Sequence, residues 1–344
     1  MNKTILNEKL EWAIIGWAIG DAMWIPVEYM PTQEIKARYW RVMDFLETRS
    51  NAHFAKKGFN EEGSGYISDD TLLTLATLDA LTEAWIIDFP TICAKQIEYY
   101  ESFDYGFWRS TTDAFEAIKK WESYLTSWNP LGTWNGIMMK QTPLAFYQVS
   151  RWIREDEIAN DIITYSKITH DNKLVIVSAL VHNRMLVDLI LTEWEMNKRK
   201  LLSRALEIAR KYEEELSDVT PDQENISDKL EELLMCMDEN GVLDLSDDEI
   251  LKKFGWNDGG LGYACYIRVT LPLIYALFFR SPDFKGFIDT INIWWDTDTY
   301  AAIIGNMIWA YRGRFYDEKY EGWVREIRNI KNSIDSFSKK FIWA

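Results

Sequence analysis

The chain is poor in the residues that mark several classes of protein. Its 344 residues include only three cysteines, three histidines and eight prolines. The cysteines lack the spacing of a zinc site and cannot all pair, which favours a reducing compartment over secretion. With 38 basic against 54 acidic residues, the net charge of −16 argues against a basic nucleic-acid-binding face.

Long apolar runs are also missing at the length that a membrane protein needs. The longest one, near residues 269–279, falls short of the roughly 20 residues of a spanning helix. The N-terminal residues lack the apolar core of a signal peptide. We therefore expect a soluble, cytoplasmic protein with no membrane partner.

What the chain has in plenty is apolar material with helical periodicity. Hydrophobic residues make up 47% of it and include 17 tryptophans, which is enough for a large core. Apolar stripes and capping residues predict helices over residues 10–23, 68–85, 173–195, 204–216, 227–241 and 246–254. In the first helix Gly16 and Gly20 share one face, which predicts close backbone approach. The predicted caps include Ser68, Asn240-Gly241 and the capping box of Ser246 with Glu249. Alternating strand patterns are scarce. We predict one compact all-α domain over residues 1–344, with 200–255 as a candidate peripheral helical elaboration.

Two acidic pairs stand where apolar helices start. Asp69 and Asp70 open one predicted helix, and Asp296 and Asp298 precede another that is rich in small residues. Residues two apart point to nearly opposite sides of a helix. The second pair therefore converges only in the turn before the helix, where Asp298 or Thr299 would act as the cap.

The two pairs have either a metal-binding or a purely structural interpretation. A helix N-terminus stabilises one carboxylate by about 0.3–1 kcal/mol, which is less than the repulsion among several carboxylates at reduced dielectric. If the two turns meet, divalent cations must lie between them, and oxygen ligands suit Mg²⁺ or Mn²⁺. If they do not meet, these acids are ordinary solvated caps, as we expect for Asp247 and Asp248. Spacing alone leaves both interpretations open.

Five segments, in order along the chain, resemble the motifs of the ADP-ribosylglycohydrolase family. They are GWAIGDAMWIPVEYM (16–30), SDDTLLTLATLDAL (68–81), NGIMMKQTPLAF (135–146), THDN (169–172) and DTDTYAAIIGNMIWAYRG (296–313). The combination of S-D-D-T with D-T-D-T at this separation is specific. The resemblance implies a single all-α domain with a di-metal cleft that holds two Mg²⁺ ions, or Mn²⁺ in their place. It also implies a glycosidase that releases ADP-ribose from a modified protein or small molecule, with nucleic acid only as a modified substrate.

Carried over by position, the resemblance implies roles for individual side chains. The metal ligands would be Ser68, Asp69, Asp70, Asp296, Asp298 and Thr299. The carboxylate that assists proton transfer would be Glu28 or Asp104, each of which has a structural alternative as a loop or turn acid. Contacts with substrate would come from Asp21, Gly106, Asn135, Gly136, Met138 and His170.

Tryptophans replace glycines of the family pattern around the expected pocket, at Trp24, Trp108, Trp294 and Trp295. Each ring adds about 200 Å² of surface, and Lys140 stands where the family has arginine. The expected metal-ligand set is thus retained while the pocket walls differ. Two alternatives stay open: the same di-metal fold acting on another N-glycoside or an ADP-ribose-derived nucleotide, and a non-catalytic ADP-ribose-binding protein. Retention of all six ligands disfavours the second.

Overall fold

The structure is a computed structural model, and its described residues are helical in every regular element. It describes residues 2–28, 30–47, 63–103, 107, 109–120, 122–125, 132–220, 224–255, 265–293, 297–313 and 319–344. Within these ranges the only β geometry is an isolated bridge between Trp134 and Tyr266. The prediction of an all-α fold is confirmed.

The α-helices are numbered here in chain order. They are α1 (Lys3–Trp24), α2 (Thr32–Tyr39), α3 (Asp69–Ala84), α4 (Phe89–Ser102), α5 (Arg109–Lys119), α6 (Thr142–Arg151), α7 (Glu155–Lys167), α8 (Lys173–Leu191), α9 (Lys198–Glu215), α10 (Ser227–Met235), α11 (Asp247–Phe254), α12 (Ile267–Arg280), α13 (Phe284–Ile291), α14 (Thr297–Arg312) and α15 (Ile327–Phe337). Short 3₁₀ turns cover Ile25–Val27, Asn135–Lys140 and Glu321–Trp323, and a π-helical turn covers Ser338–Ile342.

The central pair of helices is α1 and α14, which have the most extensive helix–helix contact in the described fold. They run antiparallel, because the Asn306 side chain donates to the carbonyl of Ala13 near one end while Gly20 lies against Ala301 near the other. A Cβ atom built on Gly20 would lie 2.5 Å from the Ala301 carbonyl oxygen. The predicted close approach along the glycine face of α1 is confirmed.

Helix α8 is the buried core helix on the other side of α14. Within the described ranges it is the one helix with the length and apolar character of a membrane span, so the expectation that the chain has no apolar segment of this length is wrong. Of its most apolar stretch, 83% is buried in the protein. Helices α6, α7 and α9 pack against it. Its apolar surface is therefore satisfied by neighbouring helices.

Helix α8 ends at Leu191, four residues before the predicted end at residue 195. The buried ammonium of Lys9, from α1, donates to the carbonyl oxygens of Leu189, Ile190 and Thr192. A cation at a helix C-terminus satisfies carbonyls that have no partner within the helix. The end of α8 is thus set by a residue far away in the chain.

The region 200–255 contributes α9, α10 and α11 to the same apolar core as the rest of the chain. Helix α10 stops at Met235, so the prediction that Asn240-Gly241 caps it is wrong. These two residues belong to a separate turn, in which the Asp238 carboxylate accepts the amide protons of Asn240 and Val242. Because Asn240 and Gly241 belong to this turn, which follows the end of α10, they do not cap the helix.

The close contact between α1 and α14 predicts that Gly20→Ala destabilises the protein. The added methyl group overlaps backbone that cannot rotate away, and overpacking of this kind costs roughly 1–3 kcal/mol. Urea unfolding followed by circular dichroism measures the change. Gly322→Ala is the matched control, because no described atom lies within 4 Å of its Cβ position. Equal stability of the two variants would contradict the close approach.

Candidate active site

The first acidic pair lies in the first turn of α3. Ser68 is the N-cap, and its hydroxyl accepts the amide proton of Asp70 at 3.2 Å. Asp69 and Asp70 follow as the first two helical residues, and all three side chains are buried. The predicted cap is confirmed, and the carboxylates lie at the positive end of the helix dipole.

A third carboxylate, Asp21, holds this turn in place. Its Oδ2 atom accepts the amide protons of Ser68 (2.9 Å) and Thr71 (3.3 Å) and the Thr71 hydroxyl proton (2.5 Å). Burial raises the pKa of Asp21 to about 6, although these hydrogen bonds act in the opposite direction. Its Oδ1 atom is buried and makes no hydrogen bond with the described residues. These hydrogen bonds fix the start of α3. The substrate contact that the resemblance implies for Asp21 stays a prediction.

The second acidic pair is only partly described. Helix α14 begins at Thr297, so Asp298 and Thr299 lie inside its first turn rather than capping it, and both are buried. Asp296 lies outside the described residues, as do Trp294 and Trp295. A carboxylate within the first turn still benefits from the exposed amide groups at the helix start.

One turn of α1 brings the two helix starts together. Gly20 lies against Ala301 near the start of α14, while Asp21, the next residue, binds the start of α3. Helices α3 and α14 also contact each other directly. The acids that are more than 220 positions apart in the sequence thus flank the same turn.

The oxygen donors of this region are of the type that Mg²⁺ and Mn²⁺ prefer. Five of the six expected ligands are described, and all five side chains are buried: Ser68, Asp69, Asp70, Asp298 and Thr299. Burying several carboxylates is costly unless their charge is neutralised. The described residues alone contain no group of three or more His, Cys, Asp or Glu side chains placed to hold a metal ion.

The 3₁₀ turn Asn135–Lys140 is attached to the start of α3. The Thr74 hydroxyl lies 2.9 Å from the carbonyl oxygen of Asp70 and 2.5 Å from that of Met139. At its other end, the amide of Asn135 donates to the Cys265 carbonyl at 2.8 Å. The turn is therefore held between α3 and the start of α12.

Four of the expected substrate contacts lie in or against this turn. The Cε1 atom of His170 lies 3.8 Å from where a Cβ atom on Gly136 would be. Asn135 is buried and donates to the Thr270 hydroxyl, and Met138 is fully buried in the apolar core. Asp104, Gly106 and Trp108 lie outside the described residues.

Trp24 is the last residue of α1, and Glu28 follows four residues later. Glu28 follows the short 3₁₀ turn, where its amide donates to the Trp24 carbonyl at 3.0 Å, and its side chain is buried. The Trp24 ring is fully buried, and its Nε1 atom donates to the Ile291 carbonyl at 2.8 Å. Trp24, which stands where the family pattern has glycine, is thus packed in the core and joins the end of α1 to the end of α13.

One nearby acid was not identified from the sequence. Burial raises the pKa of Glu326, and the negative charge of Asp21 adds to the effect. Glu326 lies just before α15, outside every sequence motif named above and more than 250 positions from Asp69. Only the folded structure brings it near the start of α3.

Comparison with known proteins gives the family. The model of the family described as ADP-ribosylglycohydrolase matches residues 2–341. The chain belongs to the ADP-ribosylglycohydrolase family. A solved structure titled "ADP-ribosylglycohydrolase-related protein complex" has a TM-score of 0.69 and 17% identity, over 98% of this chain and 99% of that one, which shows a shared fold.

A curated relative matches more locally. The Escherichia coli (strain K12) protein named "Uncharacterized protein YegU" is 27% identical over 184 residues, which are 51% of this chain and 52% of that protein. The match thus spans about half the length of this relative. Membership in this family supports glycoside hydrolysis as the family-level activity.

The hydrogen bonds of Asp21 predict a large loss of stability for Asp21→Ala. Three buried donors lose their acceptor, and each unsatisfied donor costs about 1–3 kcal/mol. Since the Ser68 turn relaxes in part, we expect a decrease of roughly 2–4 kcal/mol in the free energy of unfolding, measured with urea. Asp88→Ala is the control, because Asp88 accepts two similar bonds from Thr91 at the start of α4 in a partly exposed place. A decrease no larger than the roughly 1 kcal/mol expected for the control would contradict this role.

Proposed function

We propose that this ADP-ribosylglycohydrolase family member is a metal-dependent hydrolase that cleaves the glycosidic bond of an ADP-ribosylated substrate and releases ADP-ribose. The observation that supports it most is the convergence of the starts of α3 and α14 on one turn of α1. This convergence puts buried oxygen donors from two distant motifs in one region. The family match over residues 2–341 agrees with the proposal.

The six oxygen-bearing side chains named above would hold two Mg²⁺ ions, or Mn²⁺. Ser68, Asp69 and Asp70 would contribute from α3, and Asp296, Asp298 and Thr299 from α14. When bound, such ions supply Lewis-acid polarisation of oxygen ligands and a fixed template for the sugar hydroxyls. The first-turn carboxylates are suited to this task because the helix backbone holds them rigidly.

Proton transfer at the anomeric carbon falls to a carboxylate of the chain. Glu28 is buried just after α1, close in sequence to the turn that spaces the two helix starts. Burial of a carboxyl group brings its pKa closer to the working pH, which suits it to exchange a proton with the attacking water or the leaving group. Asp104 is the second candidate. The acceptor that leaves is a modified protein side chain or a small molecule.

The proposed function is tested by incubating the purified protein with arginine-, serine-, nucleotide- and nucleic-acid-linked ADP-ribose. We expect chromatography to detect ADP-ribose released from at least one substrate in the presence of Mg²⁺, and none after treatment with EDTA. Folding is checked in parallel by circular dichroism. A folded protein that binds ADP-ribose but releases none from any substrate would instead support the non-catalytic alternative.

Two variants in the same assay separate the candidate acids. Positioned general acid–base catalysis contributes about 10²–10⁴-fold. We therefore expect Glu28→Gln or Asp104→Asn, but not both, to lower kcat by that factor while the affinity for ADP-ribose stays within a few-fold. Equal, small effects of both substitutions would show that neither carboxylate has this role.

A further inference from the structure

Three buried side chains form a line beside the candidate site: Lys140, Thr169 and His170. The Lys140 ammonium donates to the Thr169 hydroxyl oxygen at 3.4 Å. The same hydroxyl oxygen lies 2.8 Å from Nδ1 of His170. Both ends of this line contact the 3₁₀ turn Asn135–Lys140. Lys140 is the last residue of the turn, and His170 lies against Gly136.

The chemistry of the donors decides where the protons lie. A lysine ammonium has three donor hydrogens and no acceptor, so the Thr169 oxygen must accept from it. The single hydroxyl hydrogen of Thr169 is then available for Nδ1 of His170, which must be the unprotonated nitrogen of the ring. In the opposite tautomer, Nδ1–H and the ammonium would both donate to Thr169. Its hydroxyl hydrogen would then be buried with no acceptor among the described residues.

The charges around the histidine agree with a neutral ring. Burial lowers the pKa of His170 to about 3, and the nearby Lys140 ammonium adds to the effect. Burial also lowers the pKa of Lys140 to about 8, while the negative charge of the Asp69 carboxylate opposes this shift. Near pH 6.5 the lysine is therefore charged and the histidine is not.

We propose that Lys140 is a positioning residue that acts through Thr169 to fix His170 as the Nε2–H tautomer. The His170 edge that carries Cε1 faces Gly136, and Nε2 is buried without a hydrogen bond to the described residues. The tautomer therefore presents an N–H donor beside this turn. That this donor serves an oxygen of the bound substrate rests on the proposed function; the tautomer itself does not.

The tautomer is measured at pH 6.5 on protein labelled with ¹⁵N-histidine, by long-range proton–nitrogen correlation. The chain has three histidines, and His170→Gln assigns the signals. We expect a protonated Nε2 and an unprotonated Nδ1 for His170. Lys140→Met or Thr169→Val should give a mixture of tautomers, whereas Lys140→Arg, which can only donate, should restore the wild-type pattern. His182, whose Nδ1 lies 3.4 Å from the Tyr275 hydroxyl in another part of the core, is the internal control.

The outcomes separate the proposal from the proposed function. A protonated Nδ1 of His170 in the wild type, or an unchanged tautomer in Thr169→Val, overturns the positioning role of Lys140 and Thr169. This holds whether or not the protein is a hydrolase. Thr169→Val is nearly isosteric, so it provides the test if Lys140→Met does not fold. Loss of an oriented donor to a charged oxygen should also weaken ADP-ribose binding about tenfold in Thr169→Val. If the tautomer changes but ADP-ribose binding does not, Lys140 and Thr169 fix the tautomer, and the His170 N–H does not bind the ligand.

Discussion

The buried carboxylate of Asp21 is the contact on which the candidate site depends. It joins the end of α1 to the start of α3 through three hydrogen bonds. The residue before it, Gly20, lets α14 approach the same turn of α1 without a side chain in between. If either contact is lost, the two acidic turns are no longer held at a common position. The arrangement therefore needs a small residue and an acid side by side in α1.

The same contacts concentrate negative charge in the interior. Asp21, Asp69, Asp70 and Asp298 are all buried in the described fold, and the chain as a whole carries a net charge of −16. Buried carboxylates are stable only when hydrogen bonds, nearby cations or bound ions compensate their charge. Asp21 is compensated by donors at the start of α3. Lys140 supplies a positive charge near Asp69, and bound divalent ions would supply more.

The sequence predicts well the features that depend on neighbouring residues. The Ser68 cap, the capping box at Ser246 and Glu249, and the glycine face of α1 are all found in the structure. Each follows from residues a few positions apart, whose helical geometry is fixed by local rules. The family motifs likewise predicted the all-α fold.

Features that depend on distant residues were not predictable in the same way. The end of α8 is fixed by Lys9, about 180 positions away, and the role of Asp21 comes from donors 47 and 50 positions away. The start of α14 was placed two or three residues too late because the turn before it was assumed to hold both acids. The sequence motifs contain Lys140, Thr169 and His170 but do not show their mutual contact, since helices α6 and α7 separate Lys140 from the other two.

In the proposed function, acids from α3 and α14 bind the same ions. Isothermal titration calorimetry measures Mg²⁺ binding by the wild type, by Asp70→Asn, by Asp298→Asn and by the double variant. The control is Asp248→Asn, which changes an exposed acid in the first turn of α11. We predict that each single substitution weakens Mg²⁺ binding by at least about tenfold and that the double variant loses less than the sum of the two, because both remove ligands of shared ions. Wild-type protein that binds no Mg²⁺, or losses of affinity that add independently, would show that α3 and α14 do not share bound ions.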